Sequence, residues 1–242
     1  MLLALIICAL LTSIVSGVAG MAGGVLLLSA MTFFLDIKSI VPIHGVVQMV
    51  SNSSRCWYLR QNVRLDLFWP YLFGAPLGFV IAYFILENIS DSHYLYLLIS
   101  LLIFWALFKP KRLPEIRLKS YQWSILGVVA GLQSALIGAT GPLLAVFFLR
   151  TDLTKEEIVA TKAMQQLTTH FLKIPLFLSL SFRYQDHIYL IIGMALSTIL
   201  GSFLGVKILK RVNEKNFQLI FRSLLFIAAL RMLYKFLEVI NV

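Results

Sequence analysis

Residues 17–24 read Gly17-Val18-Ala19-Gly20-Met21-Ala22-Gly23-Gly24, and residues 135–142 read Ala135-Leu136-Ile137-Gly138-Ala139-Thr140-Gly141-Pro142. Each stretch interrupts an apolar run, roughly 2–34 in the first case and 121–149 in the second. A helix crosses a bilayer in about 20 residues, so both runs are too long for one straight span. Glycine permits the backbone conformations that break a helix. Proline needs no hydrogen-bond donor in a first helical turn, so Pro142 suits the restart of the second run. Each run is therefore one kinked helix or a re-entrant hairpin of two half-helices that enters and leaves on the same side. Non-helical backbone at membrane depth must be buried in protein or line a watery cavity. A half-helix that starts there presents free N–H groups and a positive dipole end, which suits an anion. Close packing through small residues explains one such break; two at matched positions point to a site.

The surrounding composition fits a membrane setting. The chain has 242 residues, of which 60% are hydrophobic and only 13% charged. A soluble domain carries about 25% charged residues, and so large an apolar excess is at home only where the exterior meets lipid. The net charge of +10 resides in short loops between apolar runs, the mark of cytoplasmic loops rather than of a nucleic-acid face. The two cysteines, Cys8 and Cys56, have no CxxC spacing and read as packing residues, with neither metal nor disulfide implied. Residues 1–20 have the length of a signal peptide, but no Lys or Arg precedes Lys38, so they read as part of the mature fold.

Eight apolar segments follow, roughly 2–34, 38–56, 66–86, 93–108, 121–149, 156–180, 188–206 and 216–238. A basic linker over 109–120 divides them into two membrane repeats, 1–108 and 121–242. The halves match at an offset of 118: Gly20, Gly23 and Gly24 fall on Gly138, Gly141 and Pro142, and His44, Gln48, Asn52 and Arg55 fall on Lys162, Gln166, His170 and Lys173. With about five residues of slippage, Gly78 and Ala82 fall on Gly201 and Gly205. Internal repeats of this kind are typical of secondary transporters. If all eight segments span, the basic residues other than Lys162 and Arg222 divide 12 to 7 between the two sides; if segments one and five are re-entrant, they divide 14 to 5. The sharper bias favours re-entrance. Three full spans per half then invert the second repeat relative to the first, with both termini outside. The expected fold is an all-α polytopic membrane protein of two inverted four-segment repeats, each opening on a broken or re-entrant segment.

The polar residues inside the spans carry the chemistry. His44, Gln48, Ser51, Asn52 and Arg55 recur at steps of three and four on segment two, and Lys162, Gln166, Thr169, His170 and Lys173 do so on segment six, which aligns each set on one helix face. Interhelical hydrogen bonding by the amides and snorkelling of Arg55 and Lys173 at helix ends are the plain explanations. They fit His44 and Lys162 poorly, because an ionisable group within a span is costly and is by default a functional candidate. No carboxylate lies mid-span. A cation site would want carboxylates; lysine, imidazole, amide and free N–H groups suit an anion. Pro70, Pro76 and Pro175 read as helix kinks and Pro42 as the start of segment two, while Trp57, Tyr58, Trp69, Tyr94, Tyr96 and Trp123 read as an interfacial belt.

The breaks at Gly20-Met21-Ala22-Gly23-Gly24 and Gly138-Ala139-Thr140-Gly141-Pro142 resemble those of the sulfite exporter TauE/SafE family of membrane permeases. So do the basic loop with Asp66 before the third segment and the small residues Gly74, Gly78 and Ala82. The resemblance covers the whole chain. It implies transport of small sulfur-containing or organic anions, such as sulfite, sulfonates or sulfoacetate-like compounds, across the bacterial cytoplasmic membrane. It departs from the family pattern where Gly24 leads into Val25 rather than proline, and Lys162 matches no family motif.

The expected function is a secondary anion permease, with no Walker motif for ATP. The expected substrate-binding residues are Gly20, Met21, Ala22, Gly23, Gly24, His44, Gln48 and Asn52 in the first half. In the second they are Gly138, Ala139, Thr140, Gly141, Lys162, Gln166 and His170. The partners are the anion and the bilayer, with proton coupling through histidine and pairing into a homodimer as open alternatives. No cofactor, metal or nucleic acid is expected. A membrane-embedded enzyme with His/Lys acid–base chemistry and a non-catalytic scaffold subunit are the competing readings.

Overall fold

Residues 2–88, 101, 104 and 115–240 are described by a computed structural model. Among them the helices are α1 (Leu2–Ala19), α2 (Gly23–Met31), α3 (Ile37–Tyr58), α4 (Leu65–Asn88), α5 (Ser120–Ile137), α6 (Gly141–Phe147), α7 (Lys155–Ser179), α8 (Ile188–Leu209) and α9 (Glu214–Ile240). Short 3-10 turns occupy Arg60–Asn62 and Tyr184–His187. The expected fourth segment, apart from Leu101 and Phe104, and the linker up to residue 114 lie outside the described residues.

Local signals set several boundaries. Asp36 caps α3, its Oδ1 accepting from the N–H groups of Lys38 and Ser39 at 3.1 Å. Pro42 therefore lies inside α3 rather than at its start. Thr154 and Glu157 close a reciprocal capping box at the start of α7. Gly138, at φ +93°, ends α5 in a left-handed turn.

Large apolar side chains such as Phe73, Leu77, Leu196, Leu200 and Phe203 are exposed, while His44, Gln48, Asn52, Arg55, Lys162, Gln166, His170 and Lys173 are buried. Polar inside and apolar outside is the arrangement lipid demands. Four helical stretches, Leu2–Ala19, Leu65–Glu87, Tyr184–Leu209 and Glu214–Glu238, are long and apolar enough to cross a membrane. The chain is a multi-pass helical membrane protein.

Two glycine seams tie the halves together crosswise. On the first, α4 lies against α5: a Cβ at Gly74, Gly78, Gly127 or Gly131 would collide with the backbone carbonyl of Ser124, Val128, Tyr71 or Ala75, respectively. On the second, α1 lies against α8, with Gly17 facing Gly205 and Gly201 facing Leu10 and Ser13. Close approach of this kind is how helices gain dispersion energy in lipid, where burial of apolar surface gives no advantage. Ser13, Ser51 and Ser202 add a buried hydroxyl chain across α1, α3 and α8, at 2.9 and 3.2 Å. Between the seams, the polar helices α3 and α7 pack on each other.

Both broken segments fold back as hairpins. Gly23, the first residue of α2, lies against Thr12 and Ser16 of α1, and Leu27 and Met31 share a cluster with Leu5 near the start of α1. In the second half, Trp123 near the start of α5 meets Phe148 after α6, ring centroids 5.6 Å apart. Thr151 donates to Glu115 from its backbone N–H at 3.1 Å and from its hydroxyl at 2.9 Å. The chain therefore leaves this hairpin at the end where it entered. Arg64 with Glu157 (3.7 Å), Arg117 with Asp152 (3.8 Å) and Lys155 with Glu214 (3.4 Å) gather the basic loops at that end. At the opposite end Ser39 meets His187 at 3.4 Å.

Two side-chain expectations are corrected. Trp123 is 1% exposed and packs inside the hairpin rather than in an interfacial belt, because the returning chain covers it. Arg55 and Lys173 are 1% and 0% exposed and do not snorkel, because neighbouring helices enclose the ends of α3 and α7.

Candidate functional site

The two breaks meet between α3 and α7. Gly20 and Gly138, 118 residues apart, both adopt positive φ, +66° and +93°, a region open to glycine at little cost. Ala22 also has φ +66°, which is rare for a residue with a Cβ. Gly23 and Gly141, again 118 residues apart, each begin a half-helix. A Cβ on Gly141 would lie 3.0 Å from Gln166 Nε2 and 3.6 Å from Met21 Cβ, so the second break touches the first.

Side chains from the polar helices hold the breaks open. Lys173 Nζ donates to the Gly138 carbonyl at 2.5 Å and lies 3.2 Å from His170 Nδ1. The Lys173 stem passes over Gly45, where a Cβ would be 3.0 Å from its Cδ. His44 Nε2 lies 2.8 Å from the Gly24 carbonyl, which can only accept, so that nitrogen carries a proton. Gln133 Nε2 donates to the Ala139 carbonyl at 2.9 Å. The His44 and His170 rings meet edge to face, centroids 5.6 Å apart.

Enclosed among these groups is a cavity of about 10 Å³ in the space open to the centre of a water molecule, room for about one water. Of the expected site residues, Met21, Ala22, Gly24, His44, Gln48, Ala139, Gly141, Gln166 and His170 line it. Gln48 Nε2 and Gln166 Oε1 are buried there without a hydrogen-bond partner. No carboxylate lines the cavity. Its wall is assembled from both halves of the chain and offers amide and imidazole hydrogen-bonding groups.

The remaining expected residues stand outside the lining. Gly20 abuts Val159 at the start of α7, and Gly23 abuts α1. Gly138 serves as acceptor for Lys173, and Thr140 is buried at the start of α6 with its hydroxyl unpartnered. Asn52 bridges the Gln48 carbonyl and Arg55, whose Nη2 donates to Asn52 Oδ1 at 2.6 Å. Lys162 is fully buried, its Nζ 4.8 Å from the centre of the Phe221 ring. Sequence reasoning missed Ser16 and Val25 in the lining and the central part of Lys173. Lys173 did stand in the polar stripe, but its reach to a break two helices away had no one-dimensional signal. Pro142 has no N–H to offer, so the half-helix start at 141–143 is a poorer anion cradle than the sequence suggested.

At the end with the basic loops, the Arg150 guanidinium holds the Asp152 carboxyl down at about 2. Arg150 reaches Asp152 through Nε at 2.8 Å and Nη2 at 2.5 Å, clamping the segment that follows α6.

The family model of the sulfite exporter TauE/SafE matches residues 5–232. The chain belongs to that family. The match spans both halves and takes in both breaks and both polar helices. TauE/SafE proteins are permeases rather than enzymes, so the buried imidazole and amide groups belong to a transporter. No curated protein and no solved structure matches the chain.

Proposed function

We propose that this TauE/SafE protein is a secondary permease for sulfite or a small organosulfonate such as sulfoacetate, and that the anion binds where the two breaks meet. The observation that carries this reading is the buried, carboxylate-free cavity lined by Gln48, Gln166, His44 and His170 beside the break backbone. The halves act as inverted repeats with both termini outside a bacterial cytoplasmic membrane. Support comes from the crosswise pairing of α1 with α8 and α4 with α5, and from the gathering of the basic loops at one end. The cavity takes about one water in this conformation, so the state is occluded. An anion enters when the α1–α8 and α4–α5 bodies rock apart over the α3–α7 pair. Proton uptake by His44 or His170 supplies the coupling.

The test is sulfite flux into proteoliposomes, with thermal unfolding in detergent against sulfite, sulfate, thiosulfate, sulfoacetate, taurine, acetate and chloride. Gln48→Leu with Gln166→Leu should abolish flux while the protein still unfolds cooperatively. Unchanged flux in that double variant would refute the site. Absence of stabilisation by every sulfur oxyanion would refute the substrate class, since a ligand that binds only the folded state must raise its melting temperature.

A further inference from the structure

A second cluster of buried cations stands apart from the cavity lining. Arg55 is 1% exposed and Lys162 0%. The Arg55 Nε and Nη1 atoms and the Lys162 Nζ have no hydrogen-bond partner, and no carboxylate pairs with either residue among those described. Gly45 lies opposite Lys173 across the antiparallel pair of α3 and α7. Ten residues further along α3 is Arg55, and eleven residues back along α7 is Lys162. At 1.5 Å of rise per residue the two residues stand nearly level. Their level lies between the cavity and the end where Arg64 meets Glu157. Asn52 takes one guanidinium nitrogen and Phe221 faces the ammonium. Two like charges in a buried site with nothing to neutralise them are costly, and an anion between them removes that cost.

We propose that Arg55 and Lys162 form a second anion station, on the path between the cavity and the basic-loop end, for a small oxyanion carrying up to two negative charges. The proposal rests on the permease reading. It assigns the pair a different place and a different chemistry from the cavity: two full charges rather than amides and imidazoles. An anion leaving the cavity toward the basic loops is drawn to the pair and released when that end opens. The pair is thus a relay that keeps the anion from returning.

The test is equilibrium dialysis of purified full-length protein with [35S]sulfite, alongside proteoliposome flux. Wild type should bind two sulfites per chain. Gln48→Leu with Gln166→Leu should keep one, and adding Lys162→Met should remove it. Lys162→Met alone should weaken the lost site at least tenfold without lowering the melting temperature, because it deletes an uncompensated buried charge. Lys162→Arg should retain the site. If Lys162→Met binds two sulfites with wild-type affinity, or the double glutamine variant binds none, the second station is wrong while the permease reading stands on its flux. If instead the double glutamine variant keeps full flux and Lys162→Met loses bound sulfite, the cavity reading fails and the station stands.

Discussion

Adjacent glycines in the first break should respond in opposite ways to the same substitution. A Cβ on Gly23 would collide with the carbonyl oxygen of Thr12 and the hydroxyl of Ser16, with the Thr12 carbonyl carbon at 2.9 Å. The obstacle is backbone of a helix locked to α8, so it cannot swing aside. Relieving the clash means shifting α2 by about 1 Å, which forfeits a quarter to a half of each dispersion contact along it. With the strain of overpacking, Gly23→Ala should cost about 2–3 kcal/mol, on the order of 5–10 °C in melting temperature for a chain of this size. A Cβ on Gly24 meets Gln48 Oε1 at 3.6 Å and His44 Nε2 at 3.7 Å, which is ordinary contact. Gly24→Ala should therefore leave stability within about 0.5 kcal/mol. It places a methyl at a cavity of only about 10 Å³ and should slow sulfite flux severely. Thermal unfolding in detergent and proteoliposome flux measure both quantities. Wild-type melting of Gly23→Ala, or equal destabilisation by both substitutions, would refute the hairpin packing.

Lys173→Met should destabilise by about 2–3 kcal/mol, because it strips the donor from the buried Gly138 carbonyl and the hydrogen-bond partner from His170 Nδ1; chemical denaturation would measure it. Gly131→Val drives a side chain into the Ala75 carbonyl and should cost about 3 kcal/mol or more, whereas Val129→Leu on the exposed face of the same helix should stay within about 0.5 kcal/mol. The Asp152 carboxyl is held near 2 by Arg150, below its ordinary 3.8. Its contribution is therefore complete above about pH 4 and is lost as pH falls through about 2. Solvent screening limits that contribution to about 1 kcal/mol, and Asp152→Asn should flatten that part of the acid unfolding profile.

The membrane class and the helical segments were legible in the sequence because lipid imposes a one-dimensional code. Apolar runs must be long enough to span, and small residues must fall where helices touch. The glycine-rich stretches read as helix breaks do interrupt the helices: Gly20 and Gly138 have positive φ, and Gly23 and Gly141 each begin a half-helix. Both are local backbone demands that leave a mark on residue type. Periodicity also aligned His44 with Gln48 and Gln166 with His170, which the cavity brings together.

The sequence did not reveal how far each polar side chain reaches or what it meets. Arg55 and Lys173 sit near helix ends and read as snorkelling, yet both are enclosed, and Lys173 spans the gap to a carbonyl 35 residues away. Lys162 and His44 align at the offset of 118, yet His44 lines the cavity while Lys162 faces Phe221 one level away. Trp123 read as interfacial until the returning hairpin covered it. Hydropathy and helical period are properties of one segment and are settled by its own residues. Depth, enclosure and the partner of a buried charge depend on which other helices surround it, and only the packing of the two halves against each other decides that.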